Sequence, residues 1–88
     1  MKTQRLTFHT DPGHGWLEVT RADLALLGIL GLISPYSYTD GPRVYLEEDC
    51  DATLYLEGAK AAGWVLHLVD KYAENSFVRQ LPSVGVPA

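Results

Sequence analysis

From Leu6 to Val19 apolar and polar residues alternate on both sides of a short break, with Leu6 and Phe8 before it and Leu17 and Val19 after it. Alternation with a period of two marks strands that bury one face. The break, Asp11-Pro12-Gly13-His14, is a turn. Pro12 presets a φ of about −65° at the first corner, and Gly13 tolerates a positive φ at the second. Pairing Thr10 with Gly15 sets Phe8 opposite Leu17 and Leu6 opposite Val19, which gathers the apolar side chains on one face. The other face then carries Arg5, Thr7, His9, Trp16 and Glu18, with His9 opposite Trp16 and close enough to stack.

The pattern next changes to helical spacing. Thr20 is placed to cap a helix, with Asp23 reinforcing its first turn and Leu24, Leu27 and Leu30 forming its apolar stripe. Gly28 and Gly31 keep it short. The run Leu24–Ile33 reads as core, with an exposed partner patch as the alternative. Asp40-Gly41 marks a second hairpin in which Val44 and Leu46 face the core while Tyr45 and Glu47 face away. The acidic run Glu47–Asp51 precedes a helix that buries Ala52, Tyr55, Leu56, Ala59 and Ala62 and stops at Gly63. Acids there fit helix capping, with a divalent-cation or acidic contact patch as the other reading. Trp64–Asp70 and Ser76–Leu81 predict two further strands joined through the polar linker Lys71–Asn75, and Pro82 ends the last. The expected order is β-β-α-β-β-α-β-β: an α+β fold whose antiparallel sheet is built from β-hairpins, with two short helices on one face. Residues 1–82 form one domain and 83–88 a loose tail.

Composition narrows the class. With 47% hydrophobic and 20% charged residues, this is an ordinary globular chain. Eleven acids against seven bases give a net charge of −4, and the bases never cluster, which argues against direct nucleic-acid binding. A lone Cys50 excludes an internal disulfide and suits a reducing cytoplasm. The N-terminus lacks a secretory pattern, and Leu24–Ile33 is too short to span a bilayer, so no membrane role is expected.

The blocks Phe8–Val19, Tyr45–Ala52 and Ser76–Pro82, with Ser34–Tyr38, resemble those of a family of small uncharacterised proteins encoded by phages and plasmids. The resemblance covers most of the chain and implies a mobile-element origin and a bacterial host cytoplasm. It supplies no activity, cofactor or catalytic residue.

Three chemistries follow from the residues themselves. His9, Asp11 and His14 offer three metal ligands, with Glu18 or Cys50 as a fourth, but their spacing matches no zinc signature. The competing reading has Asp11 bonding the turn, His14 at its tip and His9 packed on Trp16. Cys50 as a nucleophile is opposed by the acids around it. Glu18, Glu47 and Glu48 would make an acid–base pair only if the sheet joined them. The glycines form neither a phosphate loop nor a dinucleotide fingerprint, so no cofactor is expected.

Binding is better supported. His9, Asp11, His14, Trp16 and Glu18, with Tyr36, Tyr38, Tyr45 and Arg79, supply aromatic rings and a few charges, the material of binding hot spots. The expectation is a non-enzymatic accessory protein of a phage or other mobile element that binds and masks a bacterial host or defence-system protein. Its acidity would suit a partner surface that normally holds nucleic acid. The alternatives are a protein that sequesters a small nucleotide-like ligand and a small metal-dependent enzyme at His9, Asp11 and His14. A homodimer through a free sheet edge or through Leu24–Ile33 is a further option.

Overall fold

The computed structural model describes Lys2–Val84. Five strands form one sheet: β1 (Thr3–Thr10), β2 (Gly15–Thr20), β3 (Tyr38–Asp40), β4 (Arg43–Glu47) and β5 (Val65–Tyr72). Their order is β3-β4-β2-β1-β5. Two helices, α1 (Arg21–Leu26) and α2 (Asp51–Ala61), pack on one face, and 3-10 turns occupy Leu30–Leu32 and Phe77–Gln80. The class is α+β.

The hairpin register is the expected one: Thr10 pairs with Gly15, His9 with Trp16 and Phe8 with Leu17. Leu6, Leu17 and Val19 enter the main core with Val44 and Leu46 of β4, and Leu24, Ile29, Ala52, Tyr55 and Ala59 close it from above, with Phe8 packed at its margin. Full burial of one such Leu or Val side chain contributes about 1.5–3 kcal/mol. Gly13, however, does not use a positive φ. A Cβ there would meet the Arg79 guanidinium at 3.0 Å, so space rather than backbone conformation favours glycine. Gly15 is likewise pressed by Phe8, whose ring atom Cζ would lie 2.8 Å from an added Cβ.

Thr20 caps α1 through a bond from the Asp23 N–H at 3.2 Å. Both helices end in a Schellman motif on the glycines read as stops. Gly28 (φ 73°) donates to Ala25 O while Ile29 donates to Leu24 O, and Gly63 (φ 79°) donates to Lys60 O while Trp64 donates to Ala59 O. The left-handed residue turns the chain and splits the apolar run that follows. Leu24 and Ile29 are buried, whereas Leu26, Leu30 and Leu32 are exposed, so Leu24–Ile33 is only partly core. On α2, Leu56 and Ala62 also lie off the buried stripe.

The C-terminal third departs from the expected pattern. β5 is not half of a hairpin: it runs parallel to β1 over the whole strand, from Thr3 beside Val65 to Thr10 beside Tyr72. The sheet is therefore mixed, and α2 is a crossover from β4 to a parallel strand on the far side of β2 and β1. Ser76–Leu81 is not a strand either. The Ser76 hydroxyl accepts from the Val78 N–H and starts a 3-10 turn. Ser83 and Val84, expected in a loose tail, are tied to the β3 side: Ser83 bridges Tyr38 and Val84 N–H donates to Ser37 O at 2.8 Å. The rest of that expected tail lies outside the described residues.

The glycine stops give a direct test. A Cβ at Gly28 meets nothing within 4 Å, so Gly28→Ala carries only the cost of a left-handed alanine, about 1–2 kcal/mol. Gly31→Ala, equally open but without a positive φ, should stay within about 0.5 kcal/mol of the wild type in urea denaturation.

Candidate functional site

The face of the sheet opposite the helices is covered at one end only. There Trp16, Tyr45 and Val78 are buried together, with Tyr38 and Leu81 at their margin. The Phe77–Gln80 turn forms the lid of this second cluster: the Phe77 ring meets His9 edge-on at 5.2 Å and Tyr45 at 5.6 Å. Tyr45 and Glu47 do face away from the main core, yet both are buried, Tyr45 beneath this cover and Glu47 against Ser37, Asp49 and Cys50.

Asp11 holds the cover in place. Its Oδ1 accepts from the backbone N–H groups of Gly13 (3.1 Å) and His14 (3.0 Å), closing the turn. The Arg79 guanidinium grips both carboxylate oxygens, at 2.6 and 2.9 Å, and the Ser76 N–H adds a longer bond to Oδ2. Arg79 above all, then the turn and Ser76 N–H groups, hold the Asp11 carboxyl well below the usual carboxylate range, against the opposing effect of burial. Arg79 also lies over the Trp16 ring, 5.3 Å from its centroid, and His14 stacks against that ring at 5.9 Å. Arg79 is thus neither on a strand nor paired at the surface. Its partner is a buried acid.

Beside this clamp a cleft of about 440 Å³ opens between the hairpin tip, the Ser34–Tyr38 loop and the start of α2. Five expected binding residues line it: His14, Trp16, Tyr36, Tyr38 and Arg79, joined by Glu47, Asp49 and Cys50. Trp16 is 1% exposed, and its indole N–H has no hydrogen-bond partner among the described residues. With His14 and Arg79 against its ring and so little of it exposed, no ligand ring can stack on it. The aromatic group free for contact is Tyr36, 71% exposed at the cleft mouth.

The other four expected residues, His9, Asp11, Glu18 and Tyr45, do not line the cleft. His9 is buried and does not stack on Trp16. It meets Tyr45 and Phe77, and its Nε2 lies 2.7 Å from Glu18 Oε1. Glu18 also reaches Arg43 at 3.6 Å. Burial, then the charges of Glu18 and Asp40, push the Tyr45 hydroxyl up. No three His, Cys, Asp or Glu side chains among the described residues are grouped to hold a metal ion. His9 and Asp11 turn to separate partners, which divides the trio read as ligands.

The acidic run does structural work, but not as a side-chain cap of α2. Glu47 Oε2 accepts from the N–H groups of Asp49 and Cys50, closing the turn before the helix. Asp51 Oδ2 accepts from the Ser34 N–H and hydroxyl and from the Ser37 hydroxyl, fixing the loop that carries Tyr36. Desolvation, then the charges of Glu47, Asp51 and Asp49, push the Cys50 thiol up, the wrong direction for a nucleophile. The sequence reading missed Ser34, Ser37 and Asp51 as positioning residues. The signal was a Ser-Pro-x-Ser loop with no strand or helix of its own.

No protein-family model, curated protein or solved structure matches this chain. No helix among the described residues is long and apolar enough to cross a membrane.

Two tests follow. The folded Asp11 carboxyl is more acidic than the unfolded one, so its charge stabilises the fold above the unfolded value of about 3.9. That contribution fades as pH falls toward the folded value. Asp11→Asn should therefore lower Tm clearly at pH 7, with the gap to wild type narrowing only below about pH 4. Second, iodoacetamide should alkylate Cys50 several-fold more slowly at pH 7.5 than it alkylates a free thiol of ordinary pKa, about 8.5. Intact-mass kinetics would show the difference.

Proposed function

We propose that this chain is a non-enzymatic binding protein, an accessory factor of a phage or other mobile element that covers a functional surface of a bacterial protein. One observation carries the reading: the titratable side chains at and around the hairpin are spent on structural partners. Arg79 is committed to Asp11, His9 lies against Glu18, and Glu47 holds its own turn. What the same region leaves open is apolar and aromatic. Tyr36 stands at the cleft mouth, and the chain leading to it exposes Leu26, Leu30 and Leu32, the first and last by 69% and 64%. Exposed aromatics and aliphatics beside a polar rim are the ordinary makings of a protein interface.

Charge supports the kind of partner. Glu48 and Asp49 are exposed next to the cleft, in a chain of net charge −4. A basic surface flanked by apolar side chains, such as one that receives nucleic acid, would be complementary. The cleft volume also suits a small molecule, which is the second reading. Glu47 and Asp49 in its wall, with Arg79 already paired, disfavour a phosphate-bearing ligand.

Capture from bacterial lysate tests the reading. Leu32→Ser/Tyr36→Ala removes two exposed side chains and should leave Tm within about 2 °C of wild type, as surface changes generally do. The partner retained by wild type should fall at least about tenfold with the double variant, since two hot-spot side chains contribute well over 1.4 kcal/mol together. Equal capture by both proteins, or a small molecule co-purifying with both and no protein with either, would overturn it.

A further inference from the structure

We propose that β5 pairs with a second copy of itself, antiparallel about a two-fold axis at Val69, to give one continuous ten-stranded sheet. β5 is the last strand of the order β3-β4-β2-β1-β5, and nothing among the described residues pairs with its outer side. The direction of its backbone groups is fixed by the bonds at its two ends. Val65 N–H donates to Lys2 O at 2.8 Å, and Ala73 N–H donates to Thr10 O at 2.9 Å. Since strand residues alternate in direction, Val65, His67, Val69, Lys71 and Ala73 face β1 with their backbone groups. Leu66, Leu68, Asp70 and Tyr72 therefore present N–H and C=O outward. An eight-residue row of this kind with no proline is an edge that soluble proteins ordinarily protect.

The side chains make the same point. Val65, Leu68, Val69 and Tyr72 are 41–60% exposed, although valine and tyrosine belong among the strongest strand formers. α2 does not reach over Leu68, which with Leu56 borders an open groove lined also by Phe8, Leu17, Ala52 and Glu48, while Val65 and Val69 lie on the opposite face of the sheet. A neighbouring strand on this edge would cover the exposed apolar side chains and satisfy the outward backbone groups together.

A two-fold axis across adjacent antiparallel strands stands perpendicular to the sheet, so each residue meets a partner from its own face. That restricts the axis to a residue of β5, and charge together with the outward backbone groups selects among the choices. An axis at Asp70 or at Lys71 sets like charges directly opposite each other, which destabilises a strand pair. An axis at His67 sets that ring against its copy and shortens the paired stretch. An axis at Leu68 sets Tyr72 opposite Trp64, whose N–H is already spent on Ala59 O. At Val69 the stretch 66–72 pairs throughout: Val69 meets Val69, Leu66 meets Tyr72, Leu68 meets Asp70 and His67 meets Lys71. The outward groups of Leu66, Leu68, Asp70 and Tyr72 then close the hydrogen-bonded rings, while Val69 forms the close, non-bonded pair. Both helical layers fall on the same side of the joined sheet. No residue of β5 lines the cleft proposed for partner binding, so this inference stands or falls apart from that one.

Sedimentation equilibrium from about 5 to 500 μM should show wild type passing from the monomer to twice its mass. Val69→Lys opposes two ammonium groups across the axis, and Asp70→Pro removes an outward N–H that β1 does not use, so each should remain monomeric over that range with its fold intact by circular dichroism. In a Cys50→Ser background, Val69→Cys should form an intermolecular disulfide under mild copper-phenanthroline oxidation, because Cα atoms of a non-bonded pair lie about 4.5 Å apart. A wild type that stays monomeric at 500 μM overturns the proposal. So does a dimer that survives Val69→Lys, or one that fails to cross-link through position 69.

Discussion

The carboxylate of Asp11 is the point on which both ends of the chain converge. It takes N–H groups from its own turn, one from Ser76 and two from Arg79, so residues separated by 68 positions share one anion. Without it, the 76–81 segment would keep only the packing of Phe77, Val78 and Leu81 and the main-chain bonds of the residues that follow. With it, Phe77 and Val78 are set down on His9, Trp16 and Tyr45, and a second small core forms where an open sheet would otherwise face water. Charge-assisted bidentate bonds are the strong members of the hydrogen-bond family, and this pair has its acid buried. The clamp also explains why Gly13 is glycine and why Trp16 is closed to ligands.

A comparable anchor works on the other face. Asp23 is buried, which alone would raise its pKa, yet bonds from Lys2 and Gln4 outweigh that and hold it low. It sits near Tyr55, whose hydroxyl is pushed to about 12 by burial and then by that charge. One acid thus secures the start of β1 against α1, as Asp11 secures its end against the C-terminal segment.

What was legible in the sequence is what local chemistry decides. The hairpin register follows from alternation around Asp-Pro-Gly-His, the start of α1 from Thr20 and the helix ends from Gly28 and Gly63. The misreadings lie where distant groups decide. Ser76-Phe77-Val78-Arg79 alternates like a strand, but a serine cap and an acid 68 residues away make it a turn. Val65–Tyr72 is strand-prone, yet whether it pairs parallel or antiparallel depends on which sheet edge α2 delivers it to. The trio His9, Asp11, His14, close in sequence, is divided in the same way: His9 lies against Glu18 and Asp11 against Arg79. Five of the nine expected binding residues do meet in one cleft, because the turn that displays His14 and Trp16 is also the turn that Arg79 and the Ser34–Tyr38 loop approach.

The distribution of exposed apolar surface is the remaining constraint. A chain this small cannot bury everything, and a scattering of exposed leucines needs no explanation. Here the exposure is not scattered. Apart from Leu56 and Phe77 it falls on the segment from Leu26 to Tyr36, which a left-handed glycine interrupts, and on β5, which one neighbour pairs on one side only. The first presents side chains and an aromatic ring beside exposed acids, so it suits a partner whose surface is chosen by charge and shape. The second presents unpaired backbone in a fixed order, so it suits another strand. The two surfaces ask for different kinds of contact, and a molecule that used both would present its clefts in pairs, carried on a single shared sheet.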